Sequence, residues 1–305
     1  MKLQNTLIIS FILLIILSFN IFADEVSDKN YACNAALNKG DFNAAEKLAN
    51  EVLKHDAKNR EASICKGRLL GAKGNYDEAL IMLNQAESLS KEPSEHIIGL
   101  ILIGNIFKAQ QKNSDALASY EGSLSIAKNE KNEKYIRANY DFIGDVLRQN
   151  NNLTAALANY QLGAKLAMND NERAESFELL ATAYKALGQY DAAIEYQVKA
   201  IQMQKLSGTL DQFADSTLAL GQIYIAAKDY SSADKSLTKF AQFAKDNGGA
   251  YYEAKAKLYL AQCRAESGDA AAAKLLFADA SSLAISINAK DLANEIQLKE
   301  KNLGY

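Results

Sequence analysis

GDFNAAEKLANEVL, residues 40–53, returns as GNYDEALIMLNQAESL from Gly74, as GQYDAAIEYQVKAI from Gly188 and as KDYSSADKSLTKF from Lys228. The first two copies lie 34 residues apart and the last two lie 40 apart. Each opens on a short polar turn and runs into an alanine-rich stretch. Recurrence at this period marks a stack of supersecondary units, each too small to bury its apolar face alone. One proline, no tryptophan and abundant alanine among 305 residues favour helix almost throughout.

The four fragments resemble the hinge and second helix of the tetratricopeptide repeat. On that family's frame of about 34 positions, seven units begin at Val26, Arg60, Ile97, Arg137, Ala174, Ala214 and Ala254, with spacings of 34, 37, 40, 37, 40 and 40. The longer units resemble the family's extended variants, with about one extra turn in one or both helices. Position 20 is alanine in every unit: Ala45, Ala79, Ala116, Ala156, Ala193, Ala233 and Ala273. Position 8 is always small: Cys33, Gly67, Gly104, Gly144, Ala181, Gly221 and Ala261. The resemblance implies that these two positions meet where helix A crosses helix B. Small residues there let the backbones approach closely, and a larger side chain would overpack by about 1–3 kcal/mol.

Position 18 reads Asn43, Asp77, Ser114, Thr154, Asp191, Ser231 and Ala271, which places an N-cap there in six of the seven B helices. Position 11 carries bulky core residues in the middle units (Leu70, Phe107, Leu147, Tyr184, Tyr224) and departs from this at Ala36 and Arg264, in the two end units. The family's tryptophan at position 4 and proline at position 32 are absent. Pro93 falls two places after the latter, and Asn113 replaces the aromatic at position 17 of the third unit.

Three segments follow. Lys2, the apolar run at 7–17 and Ile21-Phe22-Ala23 before Asp24 read as an export signal, residues 1–23, cleaved after Ala23. An uncleaved anchor is the alternative, residues 7–23 being at the lower limit for spanning a bilayer. Either reading puts the remainder across the membrane, periplasmic or secreted, with membrane contact only through an uncleaved signal. Residues 24–289 hold the seven repeats. Residues 290–305 place Leu292, Ile296 and Leu303 on one side of a C-terminal capping helix. The expected fold is all-α: a right-handed superhelical solenoid of seven helix pairs plus that cap, in an exported bacterial member of the family.

Cys33 and Cys65 lie on neighbouring helices of this register. They read as small buried core residues, with a disulfide as the alternative outside the cytoplasm. His55 falls near the end of a B helix and His96 in an inter-repeat turn, both as surface residues.

A formal net charge of −3 gives no basic stripe, so nucleic acid is not an expected partner. The sequence lacks G-x-S-x-G, a P-loop, H-E-x-x-H and any His/Cys cluster. No enzyme activity, catalytic residue, cofactor or metal site is expected. In the family helix A lines a concave groove through positions 2, 5, 9, 12 and 13. Position 12 carries a cation in three consecutive units, Lys108, Arg148 and Lys185. Position 9 adds Asn105, Asp145, Thr182 and Gln222, and position 5 adds Asp141 and Glu178.

The candidate groove set is therefore Asn105, Lys108, Asp141, Asp145, Arg148, Thr182, Lys185 and Gln222. Cations supply charge-assisted bonds to carboxylates, and amides pair with peptide groups, which suits an extended segment. The competing reading is an ordinary solvated face, with Asp145 and Arg148 paired three residues apart. The family's carboxylate clamp is absent: the first unit has Asn30 and Asn34 without the lysine. Most of the tyrosines, Tyr120 and Tyr160 among them, read as core residues with a wet hydroxyl, whereas Tyr251 and Tyr252 fall outside the core positions. The functional expectation is a non-enzymatic scaffold or adaptor for a protein or extended peptide. A peptide-sensing regulator and an accessory subunit of an envelope assembly or secretion machine are the alternatives.

Overall fold

The computed structural model describes residues 25–305, and the export signal expected at 1–23 lies outside them. The described residues form fifteen helices and no strand. In chain order they alternate as A and B helices. The first pair is α1 (25–38) and α2 (Phe42–His55), followed by α3 (Arg60–Ala72) and α4 (Tyr76–Ser88), then α5 (Pro93–Ala109) and α6 (Asn113–Asn129). Next come α7 (Glu133–Gln149) and α8 (Leu153–Ala164), α9 (Asp170–Ala186) and α10 (Tyr190–Ser207), and α11 (Leu210–Ala226) and α12 (Tyr230–Asp246). Helices α13 (Ala250–Glu266), α14 (Ala270–Ser286) and α15 (Lys290–Asn302) complete the chain. Two compact units divide it within α7, one ending at Val146 and the other starting at Leu147. Inside each unit, consecutive helices pack on one another.

One hinge recurs in all seven pairs. Position 15 has a left-handed backbone each time: Gly40, Gly74, Gln111, Asn151, Gly188, Lys228 and Gly268, with φ between 58° and 92°. The next residue, at position 16, donates its backbone N–H to the carbonyl of position 11, as Asp41 does to Ala36 and Asp229 to Tyr224. This six-residue closure satisfies the last carbonyls of helix A. The same position-16 residue is the N-cap of helix B, and the Asp41, Asp229 and Asp269 carboxylates accept from Ala44, Ser232 and Ala272 N–H. The expectation of N-caps at position 18 is thus corrected by two residues. The left-handed turn lets one residue end helix A and open helix B, so position 18 already lies inside the first turn.

The extra length of the long units is on both helices: the B helices α6, α10, α12 and α14 run 17 to 18 residues, against 14 in α2 and 13 in α4. From α5 onward every A helix starts four residues ahead of its unit: Pro93, Glu133, Asp170, Leu210 and Ala250. Pro93 occupies the first helical position of α5, where its missing N–H costs nothing. His96 therefore lies in the first turn of α5, not in a turn between repeats, and its Nδ1 sits 2.6 Å from Glu87 Oε1.

The alanines at position 20 are fully buried in all seven units. A Cβ on Gly67 would lie 2.7 Å from Leu83 Cγ and 3.3 Å from the Ala79 carbonyl; one on Gly104 would lie 2.6 Å from the Tyr120 ring. The small residue at position 8 thus clears the side chain at position 24 first and the position-20 backbone second. Position 24 is buried in every unit, as Ala49, Leu83, Tyr120, Tyr160, Gln197, Leu237 and Phe277.

At the amino end Cys33 and Cys65 form a disulfide, with Cα atoms 6.4 Å apart. This corrects the reading of two free core thiols. Both residues are buried in one small cluster with Ala45, Ala49 and Leu69, and such small neighbours bring α1 and α3 within disulfide reach. At the carboxyl end α15 buries Leu292 and Ile296 in a larger cluster that contains Leu237, Phe240, Leu258 and Phe277. Among the described residues no helix is long and apolar enough to cross a membrane.

Candidate ligand groove on the A helices

The eight candidate residues sit on α5, α7, α9 and α11. Asn105, Lys108, Asp141 and Asp145 belong to the first unit, and Arg148, Thr182, Lys185 and Gln222 to the second.

In the first unit the structure joins Lys108 to Asp145: Nζ lies 3.3 Å from Oδ2, on neighbouring A helices. The ammonium also lies over the Phe142 ring, 5.9 Å from its centroid. Asn105 Oδ1 accepts from the Tyr120 hydroxyl at 2.7 Å. Asp141 pairs with Arg137 within α7, at 3.4 Å. Lys108 is therefore a held cation whose partner comes from the next repeat.

In the second unit Arg148 Nε lies 3.4 Å from the Tyr160 hydroxyl oxygen. Thr182 is exposed on α9, and Gln222 is half-buried on α11. Lys185 differs from Lys108. Its side chain is half-buried, and it has no hydrogen bond or ion pair among the described residues. Burial pulls its pKa below the ordinary lysine value, and the positive charge of Lys299 on α15 adds to the shift. Lys299 lies beyond the seven repeats, and the repeat frame gave no reason to single it out.

The other groove level of the second unit is acidic. Glu178 Oε1 accepts from Gln204 Nε2 at 2.7 Å and from the Ser216 hydroxyl. Glu175, Glu178 and Asp215 line a cavity of about 130 Å³ beside them. An A-helix surface with acids at one level and unpaired ammonium at another offers acceptors and donors to a polar chain laid along it. Among the described residues there is no cluster of three metal-ligating side chains.

Tyr120 and Tyr160 correct another expectation. Both are fully buried, and their hydroxyls point at groove residues instead of water. Burial first, and then the Asp145 charge, raises the Tyr120 pKa well above the usual phenol range, so this hydroxyl stays a donor. Their shared place at position 24 was the available signal. Tyr251 is exposed and meets Tyr252 edge-on, and the Tyr252 hydroxyl donates to Asp211 at 2.8 Å.

Tetratricopeptide-repeat family models match residues 33–93 and 174–205. A search of the curated proteins finds no match in sequence. Among solved structures, the signal transduction ATPase with a tetratricopeptide repeat sensor, PH0952 from Pyrococcus horikoshii, is 17% identical with a TM-score of 0.70. That match covers 90% of this chain and 44% of that one. A Rap protein complexed with Competence and Sporulation Factor is 14% identical with a TM-score of 0.55, over 92% of this chain and 97% of that one. Pseudomonas aeruginosa pilF is 16% identical with a TM-score of 0.55, over 72% and 92%. At these identities the likeness is one of fold. Tetratricopeptide-repeat models thus match residues 33–93 and 174–205 of the chain, and its all-α fold is that of the tetratricopeptide-repeat solenoids.

Proposed function

We propose that this protein is a non-enzymatic scaffold that acts outside the cytoplasm and holds an extended protein or peptide segment along its A helices. Lys185 carries the reading. A half-buried ammonium without a carboxylate partner, next to a second lysine, is unfavourable until an anion arrives. A carboxylate of a bound segment would answer both Lys185 and Lys299, while Gln222 and Thr182 offer hydrogen bonds to its backbone. A protein of the same fold, a Rap protein, has been solved in complex with Competence and Sporulation Factor, which supports an occupied scaffold. Export is supported by the signal-like residues 1–23 and by the Cys33–Cys65 disulfide, since such bonds persist in oxidising compartments.

The test places a photo-crosslinking residue at Thr182 in the full chain, expressed in cells that export it. The expected outcome is crosslinked protein segments on a chain that begins at Asp24, lost when Lys185 is changed to Glu. Crosslinks indifferent to Lys185→Glu would refute the groove, and a chain that retains Met1 in the cytoplasm would refute export.

A further inference from the structure

Three phenylalanines of the second unit form a triangle away from the groove positions. Phe213 on α11 lies 6.4 Å from Phe240 and 5.8 Å from Phe243, both on α12, and the latter two are 6.2 Å apart. With Leu220 they floor an open, mainly apolar cleft of about 360 Å³ between α10, α11 and α12. None of the cleft's lining residues falls at position 2, 5, 9, 12 or 13 of the repeat. Two lysines stand at its rim, Lys205 from α10 and Lys239 from α12. Neither has an ion pair among the described residues, and Lys205 instead lies over the Phe213 ring at 5.6 Å. Phe243 is 40% exposed.

We propose that this cleft is a second docking site, for an acidic protein segment that inserts one large apolar side chain between the two lysines. The floor supplies the apolar contact that a single anchor residue needs. The unpaired ammoniums select carboxylates on either side of that anchor. Two separate cations flanking one open apolar floor suit a polypeptide, which can carry an apolar anchor and acids on either side of it. An adjoining hydroxyl, Ser236, lines the cleft and is free to bond the segment's backbone.

The probe is a fluorescent peptide with one phenylalanine among aspartates and glutamates, titrated against the full exported chain by anisotropy. Binding is expected to weaken by about tenfold or more when Lys205 and Lys239 are both changed to Glu, and to weaken as salt rises. The same peptide with serine for phenylalanine, or lysines for its acids, is expected not to bind. Phe243→Ser gives a second reading of the same loss at a partly exposed position. The titrations are repeated in Lys185→Glu, where the remaining binding is expected still to require Lys205 and Lys239, so failure of the groove and failure of the cleft are separable. No binding of the acidic peptide at concentrations up to ~1 mM overturns the proposal. So does binding that ignores the two lysines. A wild-type dimer that Phe243→Ser dissociates would make a second copy the occupant, and dodecanoate binding without peptide binding would make it a fatty acid. Either result refutes the proposal.

Discussion

The end repeats and the central repeats use the same frame for different purposes. At position 24 the end repeats bury Ala49, Leu83, Leu237 and Phe277, whereas the central three bury Tyr120, Tyr160 and Gln197. At position 12 the ends carry Leu37, Gly71, Ile225 and Ala265, and the same central three carry Lys108, Arg148 and Lys185. The two columns change character together. Where helix A presents a cation, the interior residue behind it has a polar tip that either reaches the A helix or binds the next one. Tyr120 meets Asn105, Tyr160 meets Arg148, and Gln197 donates to the Ser216 carbonyl at 3.0 Å. Buried polar groups of this kind add little net stability but fix geometry. The contrast teaches that apolar burial holds the ends of this array, while its middle carries a polar column behind the residues of the proposed groove.

The largest expected effect therefore lies at an end. Phe277 is fully buried against the cluster that α15 closes, and its ring meets Tyr305 at 6.1 Å between centroids. Phe277→Ala removes an aromatic side chain and leaves a cavity, for an expected loss of about 3–5 kcal/mol. Thermal unfolding measures it. A loss no larger than that of Tyr160→Phe would erase the distinction between end and centre.

The amino end has the smallest position-24 residue, Ala49, and a cluster of only five buried residues, two of them Cys33 and Cys65. A covalent link stands there in place of a large side chain. The bond closes a sequence separation of 32 residues, so Cys33→Ala with Cys65→Ala is expected to lower stability by about 2–4 kcal/mol. Urea midpoints of wild type and the double variant, both without reductant, give the number. Coincident midpoints would show that apolar burial alone holds this end. Glu46 bridges Lys66 and Lys73 beside the bond, and its carboxyl is lowered to about 2. Such exposed pairs contribute little, so they do not replace the disulfide.

The fold was legible because three independent constraints repeat in one frame. Alanine at position 20 and a small residue at position 8 follow from close helix crossing, and the polar hinge follows from the turn. The cap was misplaced because its location depends on which residue adopts the left-handed conformation. Glycine reveals that residue at Gly40, Gly74, Gly188 and Gly268, but Gln111, Asn151 and Lys228 conceal it. The disulfide depends on the distance between two helices, which residue type and spacing do not encode. Groove positions were assigned by analogy with the frame, whereas the partner of Lys108 and the effect of Lys299 on Lys185 arise from neighbouring or later helices. The polar column at position 24 stood in the sequence all along. Its meaning required knowing that position 24 packs against position 8 and reaches toward position 9.

That reach gives the smallest and most discriminating test. In Tyr120→Phe the ring stays in place over Gly104 and only the hydroxyl is lost, so packing is preserved and the hydrogen bond to Asn105 disappears. The expected cost is about 0.5–1.5 kcal/mol, because Asn105 is half-buried and water can reach its freed oxygen. A double-mutant cycle with Asn105→Ala separates this bond from its surroundings, and a coupling near that full cost is expected for residues in direct contact. Tyr160→Phe should couple to Arg148 more weakly, since that contact is 3.4 Å long and Arg148 has other interactions. Removing an unconstrained hydroxyl would produce no coupling in either pair. Were Tyr120 and Asn105 uncoupled, the central repeats would differ from the ends in composition only, and the position-24 tyrosines would be apolar filler with a tolerated oxygen.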